Sequence, residues 1–574
     1  MLRREGILFS RYRKNLDAWE PLMRFTSSGR PVVWLIRAVL ACCLAVTALL
    51  AVSAPLVTGV FPRVVAGQIN MDFMDLHSIV DGGLFSTFFI PMLFSLATLT
   101  VCHLLMRALR GAGARRLALA VFIAVAVLSA LWALSLKTDA FLYPDTEKAD
   151  VYARALLSGD YGRFSQAMGD GGLPYIRVYP FQSGYIFLMA GVYALFGAGN
   201  QVALQILNAL CAGVTAASLV LVSHRLFGNR AARAAAVLTA LCLPLALSSA
   251  FVYGNVPGLA LASVSIALNV EALVSDGPGE AMRRRRLALL AGSMAALALT
   301  LMVKSTFAII LIAYAIIWIA FSVSRRDRRL LAAVLVLLLV VNRLSGLPTL
   351  LLEGIVGQDF GSGMPRASWI AIGLQWNPYL NKPGWWFPDV ALHYAEVGGD
   401  AAAQGAYAAG AIRDALTGFA RDPLYAVQFF VVKVATEWLD PTFQTLFYAS
   451  QISTQAAART ADQLIYNGFD WNRIAVEFMD GYQSVLYVLA ALGARHALRA
   501  AARDAGVGRA ESGRAFAAAL LALCFLGGFA CFLIWEAKST YVFPFAVLLI
   551  PFASAGMAAA SVWMDRRRDA LLQG

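Results

Sequence analysis

The sequence predicts an all-α, polytopic membrane protein, and two observations carry this prediction. Of the 574 residues, 60% are hydrophobic and 14% are charged, whereas soluble domains carry about 25% charged residues. Apolar windows of about 20 residues, the length that crosses a bilayer as a helix, recur along the whole chain. Helices are expected because lipid forces the backbone to satisfy its own hydrogen bonds.

The apolar windows predict a bundle of about 12–14 transmembrane helices. The candidate spans are 32–57, 84–107, 117–136, 180–197, 202–223, 233–252, 256–275, 287–303, 305–322, 329–352, 422–437, 482–498, 514–535 and 541–562. Arginine clusters mark the cytoplasmic ends by the positive-inside rule, which predicts a plasma-membrane protein with both termini cytoplasmic. One conflict stays open: either 180–197 is re-entrant or interfacial, or the loop 224–233 lies outside. The segment 422–437 raises the same question.

These spans divide the chain into five predicted regions, with the largest polar loops on the outer face. A basic cytoplasmic tail precedes two extra N-terminal helices, and a helical module follows that contains an outer loop at 137–179. A large outer region with interfacial helices then separates this module from the last helices and a basic tail. This region contains a short span if 422–437 crosses the membrane. The predicted boundaries are 1–31, 32–116, 117–352, 353–481 and 482–574.

The composition argues against several classes of partner. The net charge of +13 could indicate nucleic acid, but short basic loops between membrane spans already explain it. The seven cysteines lie in apolar stretches and are typical of small core residues. The five histidines are scattered without the spacing of a zinc site. We therefore expect membrane lipids as partners and no nucleic acid.

The lysines are distributed differently from the arginines. Only seven lysines stand against forty arginines, and six of the seven fall on or near the predicted outer side. A compact ammonium binds phosphate as a point charge, so these lysines are candidates for a phosphate site. Ion pairing with nearby carboxylates is the equally weighted alternative. The six are Lys137, Lys148, Lys304, Lys382, Lys433 and Lys538.

The first outer loop predicts a short amphipathic helix that begins near Pro144 and stops at Gly159. Asp145 stands at its start, where a carboxylate commonly caps orphan amides; position alone favours this structural interpretation. Asp150 can pair with Arg154 one turn later, which would leave Asp145 free. A free carboxylate near aromatics and cations suits general-base work on a hydroxyl.

Four further elements on the predicted outer side are candidates for function. Glu536 and Lys538 lie between the last two spans, and an ionisable pair at membrane depth is a functional hypothesis, although it could merely tether a turn. Lys304 lies between two spans as well. Tyr253 begins a polar kink for which a structural role is favoured. Trp369 belongs to a tryptophan-rich stretch that is typical either of sugar stacking or of a membrane interface.

At these residues the chain resembles the GT-C superfamily of membrane glycosyltransferases, which includes protein O-mannosyl and aminoarabinose transferases. The resemblance rests on the order of three segments: PDTEKADVYARALLSGDY, then YPFQSGY, then the late WEAKSTYVFPFAVLLIPF. The last is similar to a Glu-x-x-Arg-Tyr-x-x-Pro pattern but has Ser539 and Thr540 where a basic residue is common; Lys538 would substitute. The resemblance covers most of 117–562 and implies a GT-C-like bundle of cell-envelope polysaccharide type.

The resemblance implies a polyprenyl-phosphate sugar as donor and a glycan, lipid or protein hydroxyl as acceptor, with inversion at the outer face. Asp145 matches the acidic catalytic position. A divalent cation is left open, with Asp139 and Asp145 as the carboxylates that would share it. The competing hypotheses are a transporter or flippase, and a polymerase or ligase, of lipid-linked glycans. The residues expected to bind donor phosphate or sugar are Lys304, Lys538, Glu536, Tyr541, Arg177, Tyr179, Gln182 and Trp369.

Overall fold

The computed structural model describes residues 30–60, 64–65, 68–69, 75–78, 88–138, 143–168, 170–275, 279–452, 461–466, 469–506 and 512–573. Its helices are α1 (Arg30–Ser53), α2 (Ile90–Ala108), α3 (Ala114–Leu136), α4 (Pro144–Ser158), α5 (Tyr175–Val178), α6 (Ser183–Phe196), α7 (Gln201–Phe227), α8 (Asn229–Leu241), α9 (Leu243–Leu247), α10 (Asn255–Val274), α11 (Glu280–Val303), α12 (Ala308–Ser324), α13 (Arg328–Leu344), α14 (Leu347–Val356), α15 (Ala367–Gly373), α16 (Asp389–Glu396), α17 (Ala401–Arg421), α18 (Pro423–Trp438), α19 (Thr445–Ser450), α20 (Asp462–Ile465), α21 (Asp470–Gly506), α22 (Gly513–Ile534), α23 (Ser539–Val547) and α24 (Ile550–Gln573).

Short antiparallel hairpins complete the described structure and leave the all-α class intact. Strand β1 pairs with β4, β2 with β3, and β5 with β6. The strands are β1 (Val57–Val60), β2 (Val64–Val65), β3 (Gln68–Ile69), β4 (Asp75–Ser78), β5 (Trp376–Asn377) and β6 (Lys382–Pro383). The predicted all-α polytopic fold class is confirmed.

Within the described residues, ten helices are long and apolar enough to cross a membrane, and twelve if each of two bent helix pairs forms one span. The α8–α9 pair bends by 57° and the α23–α24 pair by 51°. Prolines near the breaks, Pro244 and Pro551, remove backbone donors there, which favours a bend. The protein is therefore a multi-pass membrane protein, and its described residues hold ten to twelve candidate spans, which reaches the lower end of the 12–14 predicted.

The two segments whose topology the sequence left open account for the difference in span number. The predicted span 180–197 forms the short helix α6, and 422–437 forms α18, which is also too short to be a candidate span. Both ends of α6 lie at the same end of the bundle. Gln182, just before α6, donates to Tyr175, and Gln205, soon after it, donates to Thr138 at 2.7 Å, beside the end of α3. The re-entrant or interfacial alternative for 180–197 is the one observed.

The core is formed by helices packed along their lengths. Helix α21 packs against α1, α2 and α24, while α7 packs against α3 and α10. The two N-terminal helices are thus part of the main bundle, because their apolar faces cover the long α21. Their outward faces keep large hydrophobic side chains such as Trp34 and Leu93 exposed, as lipid-facing surfaces do.

The helices place charged residues at two opposite ends of the bundle. The arginine end contains Arg110, Arg225, Arg283 and Arg285, with their carboxylate partners. At the other end, named here the lysine end, helices α10, α11, α22 and α23 begin or stop around Asp145, Lys304, Glu536 and Lys538. The sequence-predicted site residues lie mainly at the lysine end.

Candidate active site at the lysine end

Helix α4 carries Asp145 and is fixed at its start by buried contacts. Pro144 occupies its first turn, and Gly159 ends it at a φ of 75°, a left-handed conformation that glycine adopts readily. The Thr146 hydroxyl is buried and donates to the Val252 carbonyl at 3.0 Å. The Asp150–Arg154 pair forms as predicted, with 2.8 Å between Nε and Oδ2. The beginning of α4 is therefore held in one position against the 251–254 segment.

Asp145 does not cap its own helix. The N-cap residue is Tyr143, which makes no side-chain cap, so the structural interpretation favoured by position is wrong. The Tyr175 hydroxyl instead donates to Oδ1 of the half-buried Asp145 at 2.9 Å. Burial, followed by the charge of Asp145, raises the pKa of Tyr175 well above its usual value. Tyr175 thus stays protonated and holds one carboxylate oxygen.

Gln182 fixes the tyrosines around Asp145. Its buried side chain donates to the Tyr175 hydroxyl at 3.3 Å and also to the Tyr253 hydroxyl. Tyr143 packs edge-on against Tyr253 and Tyr448, with ring centroids 6.3 and 5.2 Å apart. This aromatic wall was not predicted, because tyrosine carries no recognisable spacing signal in an apolar chain. Tyr253, for which a structural role was favoured, belongs to it.

Lys304 reaches the site because two helices approach closely. A Cβ at Gly254 would lie 2.6 Å from the Val303 carbonyl oxygen, and one at Gly258 would lie 3.2 Å from the Lys304 Cβ. The Lys304 ammonium lies over the rings of Tyr253 and Tyr541, 4.1 and 5.5 Å from their centroids. Such contacts stabilise a cation without neutralising it.

Lys304 has a lowered pKa and no direct carboxylate partner. No carboxylate of a described residue lies within salt-bridge distance of its ammonium. Burial lowers the pKa of Lys304 to about 8, although the charges of Asp145 and Glu536 act in the opposite direction. Lys304 therefore interacts electrostatically with the Asp145 and Glu536 carboxylates, but its ammonium forms no direct ion pair with either of them.

Lys538 and Glu536 form the direct ion pair of the site, with 3.1 Å between Nζ and Oε1. Glu536 is buried, whereas the Lys538 side chain keeps 17% of its surface accessible. Burial acts to lower the pKa of Lys538, but Glu536, Tyr448 and Asp145 outweigh burial and raise it above its usual value. Lys538 also lies beside the Tyr541 hydroxyl at 3.4 Å. It is a permanent cation facing the same space as Asp145.

Two further buried ionisable residues, Asp440 and Lys433, fix the segment 535–540. Asp440 accepts from Ser539 at 2.6 Å and from the backbone amides of Thr442 and Gln444. Lys433 donates to the carbonyl oxygens of Gly373 and Trp535, at 2.5 and 2.7 Å. No sequence signal marked Asp440 for this role, because its partners come from distant segments. The Lys433 ammonium bonds two backbone carbonyl oxygens. Neither of the two roles predicted for it, phosphate binding or a direct ion pair with a carboxylate, is therefore observed.

Trp369 and Tyr179 extend the aromatic surface away from the lysines. Trp369 stacks on Trp535 with centroids 6.1 Å apart, and Tyr179 packs against Trp369 and Tyr175. Trp535 immediately precedes Glu536, so this stack is continuous with the charged pair. The predicted residues that the structure brings together are Asp145, Lys304, Lys538, Glu536, Tyr541, Tyr179, Gln182 and Trp369.

Arg177 is the predicted residue that the structure sets apart. Its side chain is exposed, and its charge acts on Tyr394 of α16 instead of on the lysine pair. Helix α5 presents Tyr175 inward, so the residue two positions later points elsewhere. For metals, no group of three or more potential ligands occurs among the described residues. Asp139, the suggested second carboxylate, lies outside the described residues.

Comparison with known proteins locates one family within the chain. The model of the family described as dolichyl-phosphate-mannose-protein mannosyltransferase matches residues 184–345. The match covers less than half of the chain and agrees, over those residues, with the resemblance to the GT-C superfamily of membrane glycosyltransferases. They contain Tyr253 and Lys304 but neither Asp145 nor the 535–541 segment. No curated protein gives a match.

Two solved structures show limited similarity to the chain. One is the oligosaccharyltransferase AglB from Archaeoglobus fulgidus in complex with an inhibitory peptide and a dolichol-phosphate, at 14% identity and a TM-score of 0.38. It is matched over 79% of this chain and 51% of that one, so the chain spans about half its length. The other is ArnT from Cupriavidus metallidurans bound to undecaprenyl phosphate, at 16% identity and a TM-score of 0.30, over 76% and 77%. Superpositions of this quality support no conclusion about chemistry.

Proposed function

We propose that this protein is a membrane glycosyltransferase that moves a sugar from a polyprenyl-phosphate donor to a hydroxyl of an envelope glycan, lipid or protein. The observation that carries the proposal is the juxtaposition of Asp145 with two cations. Asp145 interacts electrostatically with both Lys304 and Lys538.

In the proposed reaction Asp145 is the general base. Its carboxylate takes the proton of the acceptor hydroxyl while the hydroxyl oxygen attacks the anomeric carbon of the donor. The bond between that carbon and the phosphate oxygen breaks, and the phosphate leaves with the electron pair. Attack from the face opposite the leaving group inverts the anomeric configuration. Tyr175, which holds Oδ1 at 2.9 Å, orients the base.

The two lysines receive the leaving phosphate in this proposal. A fixed cation aimed at developing negative charge stabilises the transition state more than the ground state. Lys538 is held in place by Glu536, and Lys304 by the rings of Tyr253 and Tyr541. The apolar spans beside the site would hold the prenyl chain, and the positive-inside rule assigns the lysine end to the outer face.

Replacement of Asp145 by asparagine tests the proposal. We expect Asp145→Asn to lower sugar transfer by about 10²-fold to 10⁴-fold, the usual contribution of a general base, while the protein stays folded in the membrane. The assay measures glycan extension in a deletion strain complemented with each variant. Glu147→Gln is the matched control, because Glu147 is an exposed acid of the same helix turn, paired with Lys148. Wild-type activity in Asp145→Asn would remove Asp145 from the mechanism.

A further inference from the structure

A groove of about 660 Å³ lies next to the site, between α17 and the segment that leads into β5. Its volume falls within the range of about 300–1,000 Å³ typical of small-molecule sites. The exposed side chains of Tyr407 and Tyr425 stand at its rim. The lining residues are Leu374–Trp376, Ala406, Tyr407, Gly410, Ala411, Asp414, Ala415, Gly418, Phe419 and Tyr425.

One wall of the groove consists of small residues on one face of α17. Ala406, Gly410, Ala411, Ala415 and Gly418 recur at the spacing that brings residues to one side of a helix. A Cβ added at Gly410 would meet nothing within 4 Å. The wall is therefore smooth, and the space in front of it is open.

Aromatic rings complete the lining of the groove, with Trp376 contributed by β5 and Tyr407 by α17 itself. Trp376 packs edge-on against Phe429, with centroids 6.1 Å apart, and its indole nitrogen donates to Asn381 at 2.7 Å. Tyr407 is backed by His393, stacked at 3.9 Å. These contacts hold both rings in fixed orientations. Rigid aromatic faces that need no reordering suit the apolar faces of sugar rings.

The polar groups of the groove decide between ligand classes. Asp414 and Gln375 supply a carboxylate and an amide, and none of the described residues that line the groove is a lysine or an arginine. A phosphate or another anion would meet no cation there and would be repelled by Asp414. A hydroxyl-rich, uncharged ligand can stack on the rings and donate to the carboxylate. This combination points to carbohydrate.

The groove is connected rigidly to the lysine end. The Gly384 amide donates to the Gln375 carbonyl, and the Ala537 amide donates to the Gly384 carbonyl, both at 2.7 Å. Ala537 stands between Glu536 and Lys538. Lys433 adds a second link, because it bonds Gly373, next to the groove, and Trp535 at the same time. A ligand in the groove is thus held at a fixed distance from the charged pair.

We infer that the groove binds the acceptor glycan, namely the sugars that precede the hydroxyl that receives the transferred residue. The inference rests on the proposed function and specifies its acceptor as an oligosaccharide. A chain anchored in the groove would extend towards the Glu536–Lys538 pair, to which the groove is connected through Gly384 and Ala537. Longer acceptors should then bind more tightly than short ones, because they contact both the groove and the catalytic space.

A substitution that fills the groove tests the inference. Gly410→Leu places a side chain in open space on a helix that gains helix propensity from losing a glycine, so the fold should persist. Gly405→Leu is the matched control, because Gly405 lies on the same helix outside the groove, and a Cβ there also meets nothing within 4 Å. The probe is a size-graded set of fluorescently labelled oligosaccharides released from the envelope glycan of the organism that makes the protein, titrated into the full-length protein in nanodiscs.

We expect Gly410→Leu to weaken binding of the longer oligosaccharides by up to about tenfold, the equivalent of one strong aromatic stacking contact, with Gly405→Leu unchanged. Tyr407→Ala should weaken binding by a similar factor, while Tyr379→Ala, an exposed tyrosine outside the groove, should not. Wild-type affinity in Gly410→Leu, or no binding of any fraction by the wild type, would overturn the inference. Displacement of the probe by undecaprenyl phosphate would also overturn it, in favour of a lipid in the groove.

The same preparation separates this inference from the proposed function. Asp145→Asn should keep full oligosaccharide binding while it loses transfer, because Asp145 does not line the groove. If binding depends on the groove but Asp145→Asn transfers sugar at the wild-type rate, Asp145 is not the general base, and the glycan site is still supported. If Asp145→Asn loses transfer but Gly410→Leu binds oligosaccharide as the wild type does, the proposed function is supported, and the groove is not the acceptor site.

Discussion

The two ends of the bundle use opposite charges in different ways. At the arginine end, Arg225 and Arg285 both bond Glu271, and Arg110 bonds Asp565 at 3.0 Å. At the lysine end, the Lys304 ammonium has two aromatic rings as its nearest partners, and Asp145 accepts from a neutral tyrosine. Arg110, Arg225 and Arg285 are thus bonded directly to carboxylates. At the lysine end Lys538 has such a partner, Glu536, whereas Asp145 and Lys304 lie close together without a direct ion pair.

The difference has a chemical consequence. A guanidinium already bonded to a carboxylate has little capacity to respond to new charge, and it contributes modestly to stability at a hydrated end. A buried cation and a carboxylate that remain unpaired cost stability, yet they can respond when charge develops between them. Substitutions at the lysine end should therefore change activity, and substitutions at the arginine end should change stability.

Lys538→Ala should give the largest effect of the tests that follow. Removal of the permanent cation leaves Glu536 buried without its partner and the departing phosphate unsupported. We expect kcat to fall by about 10²-fold to 10³-fold and the apparent donor requirement to rise, measured with purified protein and a polyprenyl-phosphate sugar. Lys148→Ala is the control, because Lys148 is also a lysine of this end but pairs with exposed Glu147. Unchanged donor dependence would reduce Lys538 to a structural role.

Lys433→Met should give a smaller loss, because Lys433 acts through the segment it holds. The variant removes the bonds to the Gly373 and Trp535 carbonyls, and we expect kcat/KM to fall by about tenfold, the equivalent of one charge-assisted hydrogen bond. A double-mutant cycle supplies the decisive readout. If Lys433 positions Lys538, the Lys433→Met, Lys538→Ala double variant should be no slower than Lys538→Ala alone. Fully additive losses would contradict the positioning role.

The pH dependence of donor binding tests Lys304. Because the pKa of Lys304 is lowered to about 8, the residue is cationic below that pH and becomes neutral above it. The KM for the donor should therefore rise as the pH increases through about 8. Lys304→Arg keeps its charge throughout this range, so the rise should disappear from its profile, whatever its absolute activity. An identical profile in the arginine variant would assign the titration to another group.

Glu271→Gln at the arginine end should give the smallest effect. Glu271 is partly accessible and bonds two half-exposed arginines, so we expect a loss of less than about 1 kcal/mol in stability, measured as the thermal unfolding midpoint in detergent. Sugar transfer should remain at the wild-type level. A loss of transfer comparable with that of Lys538→Ala would remove the functional contrast between the two ends.

Much of the fold followed from the sequence alone. Apolar windows predicted the spans, Pro144 and Gly159 predicted the bounds of α4, and the Asp150–Arg154 pair formed as its helical spacing indicated. These features depend on composition and on contacts within one helix turn. Whether 180–197 crosses the bundle did not follow, because its apolar character is the same in either arrangement. The answer required the contacts of Gln182 and Gln205.

The candidate site divides in the same manner. Asp145, Lys304 and Lys538 attracted notice because charge is rare and costly beside lipid, and that is a property of composition. Their convergence, the aromatic wall of Tyr143, Tyr253 and Tyr448, the outward turn of Arg177 and the clamp formed by Lys433 came from the tertiary structure alone. The physical reason is that each of these contacts joins segments far apart in the chain, where helix packing determines which side chains meet and local sequence carries no record of it.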